Sequence, residues 1–289
     1  MKLAVLGATG KTGRHLVARL CEDGHAVVAI GRDTARLAAL DDRAERRVAD
    51  LEAPETVSAA LEGAERVVSL AHARFTAAVL AALPAECERV VLTGSTRRFS
   101  GLDDPAADAV REGERAFEAS GRAGVMLHPS MIYGAPEDRN VNRLLHLVRR
   151  WPRWLPLVLP LPGGGRHLVQ PVHVDDMIAA LAAALTRPEA PGPGIVVAGP
   201  EPITYAAMAR ACATALGRRA FILPLPLPIL TATASLLARL GLRPPFDAAE
   251  LRRATEDKRF DVADMERRLG VRPRGFEAGL AARIARGGL

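Results

Sequence analysis

The sequence predicts an α/β protein with a doubly wound parallel sheet and a smaller, mostly helical C-terminal lobe. An apolar strand at residues 2–6 is followed by a glycine-rich turn and an apolar-periodic segment, which together make a strand–turn–helix unit. Short apolar runs then alternate with helical stretches as far as residue 133, a rhythm typical of parallel sheets with helical crossovers. From residue 204 onward the pattern is mostly helical. Apolar residues make up 49% of the 289-residue chain, enough for a large core.

The turn after the first strand has the spacing of a phosphate-binding turn, with glycines at positions 7, 10 and 13. Gly7 lets the chain turn off the strand, Gly10 lets the backbone approach a pyrophosphate, and Gly13 lets the helix pack closely on the sheet. The phosphates would then lie at a helix N-terminus, where unpaired N–H groups and the macrodipole favour negative charge. A P-loop is excluded because Val5 stands where that motif requires its first glycine.

The remaining elements follow in order along the chain. Asp33 is placed to cap a short helix after the second strand, and Pro54 to open another helix. The later strands are expected at 26–30, 48–49, 66–70, 89–93 and 125–127, with 167–174 and 195–198 returning to complete the sheet. We therefore assign residues 1–133, with those two returning strands, to a dinucleotide-binding domain. Residues 134–166 and 199–289 are assigned to a substrate-side lobe.

Charge and cysteine content narrow the function classes. The net charge is +6 and the pI about 9.9, but the basic residues form no run of five and aromatic residues are only 4%, which argues against nucleic-acid binding. The three cysteines are far apart, so we expect a reducing compartment and neither a disulfide framework nor a metal site. The first strand begins at once and leaves no room for a signal peptide, so a cytoplasmic location is expected.

The most apolar stretch runs from residue 221 to 240 and is interrupted by prolines at 224, 226 and 228. A proline-broken run is a poor spanning helix, so the pattern predicts an extended segment followed by a buried or surface-lying helix from about Ile229. Peripheral membrane contact is the alternative use of such a helix.

The order of elements resembles the extended and atypical short-chain dehydrogenase/reductases, the group of nucleotide-sugar epimerases and dehydratases, over nearly the whole chain. The matching stretches are GATGKTG at 7–13, DL at 50–51, HPSMIYG at 128–134, QPVHVDD at 170–176, EDK at 256–258, FD at 260–261, LG at 269–270 and Pro273. The resemblance implies an NAD(P) cofactor and a small-molecule substrate. The residues it places against the cofactor are Gly7, Thr9, Gly10, Lys11, Thr12, Gly13, Asp50, Leu51, Ala71, His72 and Thr93. Asp50 has an alternative role, which is to cap a nearby turn.

Arg32 indicates which cofactor is used. In NAD enzymes the second strand ends in an acid that binds the ribose hydroxyls, whereas an arginine there accommodates a 2′-phosphate. This strand ends in Gly31-Arg32, and Asp33 comes one position too late. NADP(H) is therefore favoured over NAD(H).

The superfamily's proton donor is missing from the sequence. Its members acidify a tyrosine with a lysine four residues on, but Glu137 follows Tyr133 at that spacing and Ala209 follows Tyr205, and the chain has no other tyrosine. The candidate catalytic residues are Ser95, Tyr133 and His173. Each has a structural alternative: Ser95 as a turn cap, Tyr133 as a packed ring, and His173 as a satisfied histidine at a strand end.

Two functions therefore follow from the sequence. The first is an oxidoreductase or epimerase-like enzyme that transfers hydride at a carbonyl or hydroxyl carbon of a small molecule. The second is a non-catalytic NADP(H)-binding redox sensor or accessory subunit, similar to the NmrA-like regulators.

Overall fold

A computed structural model describes residues 1–138, 140–242 and 246–287. Contacts between residues divide the chain into two compact units. Unit 1 comprises Met1–Ser130, Val174–Val197 and Asp261–Arg272. Unit 2 comprises Met131–His173, Ala198–Phe260 and the chain from Pro273 onward.

The described residues form strands and helices in alternation through unit 1 and a more helical arrangement in unit 2. The strands are β1 (Lys2–Leu6), β2 (Ala26–Gly31), β3 (Glu45–Val48), β4 (Arg66–Ser69), β5 (Arg89–Thr93), β6 (Gly124–Pro129), β7 (Ile132–Tyr133), β8 (Leu157–Pro162), β9 (Leu168–Val169), β10 (Val172–His173), β11 (Ile195–Val197), β12 (Ile203–Thr204) and β13 (Ala220–Leu225). The α-helices are α1 (Lys11–Glu22), α2 (Thr34–Ala38), α3 (Pro54–Leu61), α4 (Thr76–Ala82), α5 (Pro105–Ser120), α6 (Val141–Arg150), α7 (Val174–Thr186), α8 (Tyr205–Ala215), α9 (Leu227–Arg239), α10 (Ala248–Arg253), α11 (Ala263–Leu269) and α12 (Phe276–Ala285).

The core of unit 1 is a seven-stranded sheet with the order β11-β6-β5-β4-β1-β2-β3. Every pair in it is parallel, which confirms the doubly wound fold predicted from the sequence. The inner strands are buried because helices cover both faces of such a sheet; Leu3 and Val5, for example, are fully buried. The edge strand β3 is mostly exposed. The strand order reverses between β1 and β4, and ligands bind outside the carboxyl ends of the strands at such a switch point.

One stretch departs from the expected order. Residues 167–174 were expected to return to the central sheet, but they form the short strands β9 and β10, which pair with β12 and β7 in unit 2. Gln170 and Pro171 separate the two strands: proline has no N–H for a ladder, and the Gln170 amide binds Gly199 O at 2.7 Å and Phe260 N at 2.8 Å. The stretch at 195–197 does enter the central sheet, as β11 beside β6.

Unit 2 has its own apolar core, built by α6, α8 and α12 with the parallel pair of β8 and β13. Helix α9 contributes little to it, since Ala234 is its one buried residue. Among the described residues, no helix is both long enough and apolar enough to cross a bilayer.

Candidate active site

The glycine-rich turn is the part of unit 1 whose geometry is most tightly constrained. Gly7 has a φ of +82°, which side chains other than glycine rarely adopt. Gly10 is the N-cap of α1, and its N–H donates to Gly7 O at 3.0 Å. A Cβ atom at Gly13 would lie 2.3 Å from Gly7 O, so only glycine lets α1 pack this closely on the turn. The three glycines therefore hold the start of α1 against the end of β1.

This turn fits a dinucleotide. A Cβ at Gly10 would lie only 3.1 Å from Gly7 O, so a larger residue would crowd the cradle that the bare backbone leaves at the start of α1. A Cβ atom at Gly7 would lie 3.7 Å from Ala71 N, so the carboxyl ends of β1 and β4 are side by side. At the end of β5, the Thr93 Oγ1 atom is buried and has no hydrogen-bond partner in the described part of the chain. An unsatisfied buried hydroxyl at this edge is what a bound polar ligand would satisfy.

Two arginines follow β2. Arg32 is exposed directly after the strand, and the Arg36 guanidinium on α2 donates to Thr9 O at 2.7 Å. Asp33 is the N-cap of α2, accepting from Arg36 N at 3.0 Å as its position predicted. The carboxylate nearest the end of β2 is thereby committed to the helix. Arg36 was not singled out from the sequence, because its contact with the glycine turn spans 27 residues.

Asp50 and His72 each cap a local turn. The Asp50 carboxylate accepts from Glu52 N at 3.1 Å, the turn-capping role considered for it from the sequence. Leu51, beside it, packs against the core of unit 1. His72 Nδ1 accepts from Arg74 N at 3.3 Å, at the start of a short 3₁₀ turn after β4.

Ser95 follows β5 and begins a second 3₁₀ turn, Thr96–Phe99. Its Oγ atom accepts from Arg97 N at 3.2 Å. The hydroxyl therefore caps the turn through a lone pair, and its hydrogen remains able to donate.

Behind this turn lies a buried polar cluster of Arg98, Glu114 and His128. Glu114 Oε1 accepts from Arg98 Nη1 and lies 3.2 Å from His128 Nε2. Burial, with the nearby Arg98 charge, lowers the pKa of His128 to about 4, and burial raises the pKa of Glu114. A Cβ at Gly94 would lie 2.6 Å from His128 Nδ1, so the histidine ring packs directly against the backbone that leads into Ser95.

Sequence reasoning missed this cluster as a unit. His128 stood in the HPSMIYG motif, but nothing in the sequence joined it to Arg98 and Glu114, which lie 30 and 14 residues away.

Tyr133 and His173 are brought together in unit 2. They are register partners on β7 and β10, and their rings meet edge to face with centroids 5.3 Å apart. Both side chains are fully buried, and the Tyr133 hydroxyl donates to Phe276 O at 3.1 Å. A Cβ at Gly134 would lie 2.4 Å from His173 Nε2, so this glycine makes room for the ring. Among the described residues, no group of three or more His, Cys, Asp or Glu side chains could hold a metal ion.

Comparison with known proteins agrees with this geometry. Residues 7–139, which include the glycine turn and Ser95, match a protein family described as NAD(P)H-binding. A protein of Caulobacter vibrioides (strain NA1000 / CB15N) named a ceramide reductase is 30% identical over 80% of this chain and 76% of its own length. The chain belongs to this NAD(P)H-binding family.

Solved structures share the fold. An NADPH-dependent quinone oxidoreductase from Escherichia coli superposes with a TM-score of 0.75 at 19% identity, covering 98% of both chains. MoeE5, solved with UDP-glucose and NAD, gives a TM-score of 0.73 at 20% identity, covering 99% of this chain and 98% of its own. At these identities the likeness establishes the fold alone.

Proposed function

We propose that this protein is an NADP(H)-dependent oxidoreductase of the short-chain dehydrogenase/reductase superfamily that acts on a carbonyl or hydroxyl carbon of a small molecule. When bound, the nicotinamide would supply or accept the hydride. The observation that carries the cofactor choice is the arrangement after β2, where Arg32 is exposed and the Asp33 carboxylate is occupied as a helix cap. Arginine there suits a 2′-phosphate, and the acid that would bind ribose hydroxyls is engaged elsewhere.

Ser95 is the residue we propose for holding the substrate oxygen. It lies at the carboxyl end of β5, and its Oγ atom is oriented by the Arg97 N–H at 3.2 Å while its hydrogen can donate to a carbonyl oxygen. The His128 ring, packed against Gly94, supports the backbone that presents it. For Tyr133 and His173, the full burial and the bond from Tyr133 to Phe276 O support a packing role. Catalysis by Tyr133 would require its hydroxyl to leave that carbonyl.

A second candidate is a redox sensor that binds NADP(H) without turnover. The observation in its favour is that neither tyrosine has a lysine four residues on. Burial raises the pKa of Tyr205 to about 12, so this second tyrosine is a poor proton donor near neutral pH. The names of two relatives favour the enzyme, since one is named a ceramide reductase and the other a 3-diazoavenalumate denitrifying reductase.

Isotope transfer distinguishes the two functions. The purified protein is incubated with NADPH deuterated at C4, one stereoisomer per sample, together with a metabolite extract. Mass spectrometry then follows deuterium into metabolites, with the variants Ser95→Ala and Gly10→Val run in parallel. The Gly10 backbone is extended, with φ −73° and ψ 172°, so valine is compatible with the local conformation while crowding the cradle.

If the protein is an oxidoreductase, deuterium appears in a product, and the structure of that product identifies the substrate. We expect Ser95→Ala to reduce the transfer rate about 10- to 100-fold and Gly10→Val to abolish it. Cofactor that binds tightly with no labelled metabolite from either stereoisomer would instead establish the sensor.

A further inference from the structure

Unit 2 exposes several large apolar side chains that its core does not use. Trp154 is 82% exposed, and it precedes β8. On β13, Phe221 and Leu223 are exposed while Ala220 and Ile222 pack against the core, so the strand turns one apolar face outward. Helix α9 follows after Pro226 and exposes Ile229 and Leu236, which lie on one face because they are seven residues apart. Leu240 and Leu242 beyond the helix are also exposed.

These side chains belong to connected elements. Strands β8 and β13 pair in register from Leu157 with Ala220 to Pro162 with Leu225. Arg218 fixes the turn before β8 by donating to Trp151 O at 2.7 Å and to Leu155 O at 3.0 Å. The exposed Trp154 is thus held beside the start of β13, and the end of β13 leads into α9. We call the set Trp154, Leu155, Phe221, Leu223, Ile229, Leu236, Leu240 and Leu242 the apolar face.

The two segments of the chain that contain the apolar face carry charges of one sign. The segments 139–174 and 202–246, which contain all of it, hold eleven arginines and no aspartate or glutamate. The other parts of the chain have 28 basic residues against 33 acidic ones, so the basic excess of the protein resides in these two segments. Arg149, Arg150, Arg153, Arg219 and Arg239 are exposed in them.

Some of these arginines line a cavity next to Trp154. It has a volume of about 230 Å³ and is lined by Arg149, Arg153 and Arg218 together with Val148 and Leu216. Arg218 is held by backbone carbonyl oxygens, which leaves the Arg149 and Arg153 guanidinium groups for a ligand. Two guanidinium groups beside two apolar side chains match an anionic headgroup attached to a hydrocarbon chain, because arginine binds phosphate oxygens in a planar fork.

We propose that the apolar face docks on an anionic lipid bilayer, with the arginine-lined cavity receiving a lipid phosphate. Aromatic and aliphatic side chains next to arginines, with no acidic residues between them, are the composition of segments that lie in a membrane interface. Helix α9 has 13 residues, which is too short to span the hydrocarbon core, so the contact is peripheral. The proposal does not depend on catalysis, since docking requires neither cofactor nor substrate.

Flotation with vesicles tests this proposal on the full-length protein. Vesicles of phosphatidylcholine alone are compared with vesicles containing about 30% phosphatidylglycerol, an anionic content that gives a strong negative surface potential. Two double variants are made, Trp154→Ser with Leu236→Ser, and Arg149→Gln with Arg153→Gln. Val48→Ser and Arg115→Gln are the matched controls, because both residues are exposed in unit 1. Thermal melts establish that each variant is folded.

We expect the wild-type protein to bind the anionic vesicles, with each double variant reducing the partition coefficient about tenfold or more and the controls changing it less than about twofold. Inorganic phosphate should compete only weakly, because it lacks the hydrocarbon that the apolar face buries. Failure to float, or equal binding to both vesicle types, overturns the proposal. It is also overturned if sedimentation shows a dimer that the Trp154→Ser/Leu236→Ser variant dissociates, because a second copy would then cover the apolar face.

Discussion

At the scale of single residues, a substitution of Arg32 tests the proposed preference for NADP(H) over NAD(H). Replacing it with aspartate removes a cation and adds an anion where the 2′-phosphate would lie. We expect Arg32→Asp to weaken NADPH binding about tenfold or more and NADH binding far less, because NADH has no 2′-phosphate. Titration calorimetry with both cofactors measures this difference, and Arg115→Asp controls for the change in net charge. Equal losses for the two cofactors would show that Arg32 does not contact the 2′-phosphate.

His128 makes stability depend on pH. Its pKa is about 4 in the folded protein and 6.5 as a free side chain, so the unfolded chain binds the extra proton between these values. The contribution of neutral His128 to the free energy of unfolding is therefore fully present above pH 6.5 and is lost as the pH falls toward 4. The loss is about 3 kcal/mol, because each unit of pKa difference corresponds to about 1.36 kcal/mol. The raised pKa of Glu114 opposes part of this loss of stability at low pH, because the folded state then binds a proton that the unfolded state has released.

Urea unfolding of the wild-type protein and of His128→Gln between pH 4 and pH 7 isolates the histidine contribution. The variant should be less stable at pH 7 and show a flatter pH profile below 6.5. Parallel profiles for the two proteins would mean that His128 is protonated alike in both states.

At the scale of elements, α5 depends on its first cap. Asp104 accepts from Ala106 N at 3.0 Å, and Pro105 occupies the first helical position, where its missing N–H costs nothing. We expect Asp104→Ala to lower the free energy of unfolding by about 1 kcal/mol, and Asp104→Asn to restore most of it because asparagine also caps. Chemical denaturation measures both, with the exposed neighbour Asp103→Ala as the control. A change below about 0.3 kcal/mol for Asp104→Ala would show that the cap is dispensable.

The elements that could be predicted from the sequence were those determined by residues close together in the chain. The apolar run at 90–92 indicated β5 because the middle of a buried parallel strand carries no charge. Asp33 indicated the start of α2 because capping acts over three residues. The stretch from 167 to 174 looked like one strand, since the contacts of Gln170 that divide it reach Gly199 and Phe260. The sequence did not indicate Arg36 or the cluster around His128 for the same reason, since their partners are distant in the chain.

At the scale of the whole molecule, cofactor binding should stabilise the folded state. A ligand at 100 times its Kd adds about 2.7 kcal/mol, which for a chain of this size corresponds to a rise in Tm of roughly 5–10 °C. We expect NADPH to produce this rise and NADH, at the same concentration, to produce a smaller one. Differential scanning fluorimetry measures both, and Gly10→Val should respond to neither. A larger shift with NADH would reverse the proposed preference.

The edge position of β11 also affects how the protein is synthesised. The strand β6 ends at Pro129, but its partner β11 lies at Ile195–Val197, and the bond from Ser130 N to Val197 O completes that edge. On the ribosome, β6 therefore emerges well before its neighbour, and at about 5–20 residues per second the interval lasts several seconds. During that time a fully buried strand of the finished protein presents an unpaired edge. The nascent chain is thus exposed to aggregation, and to capture by chaperones, while residues 130–194 are being translated.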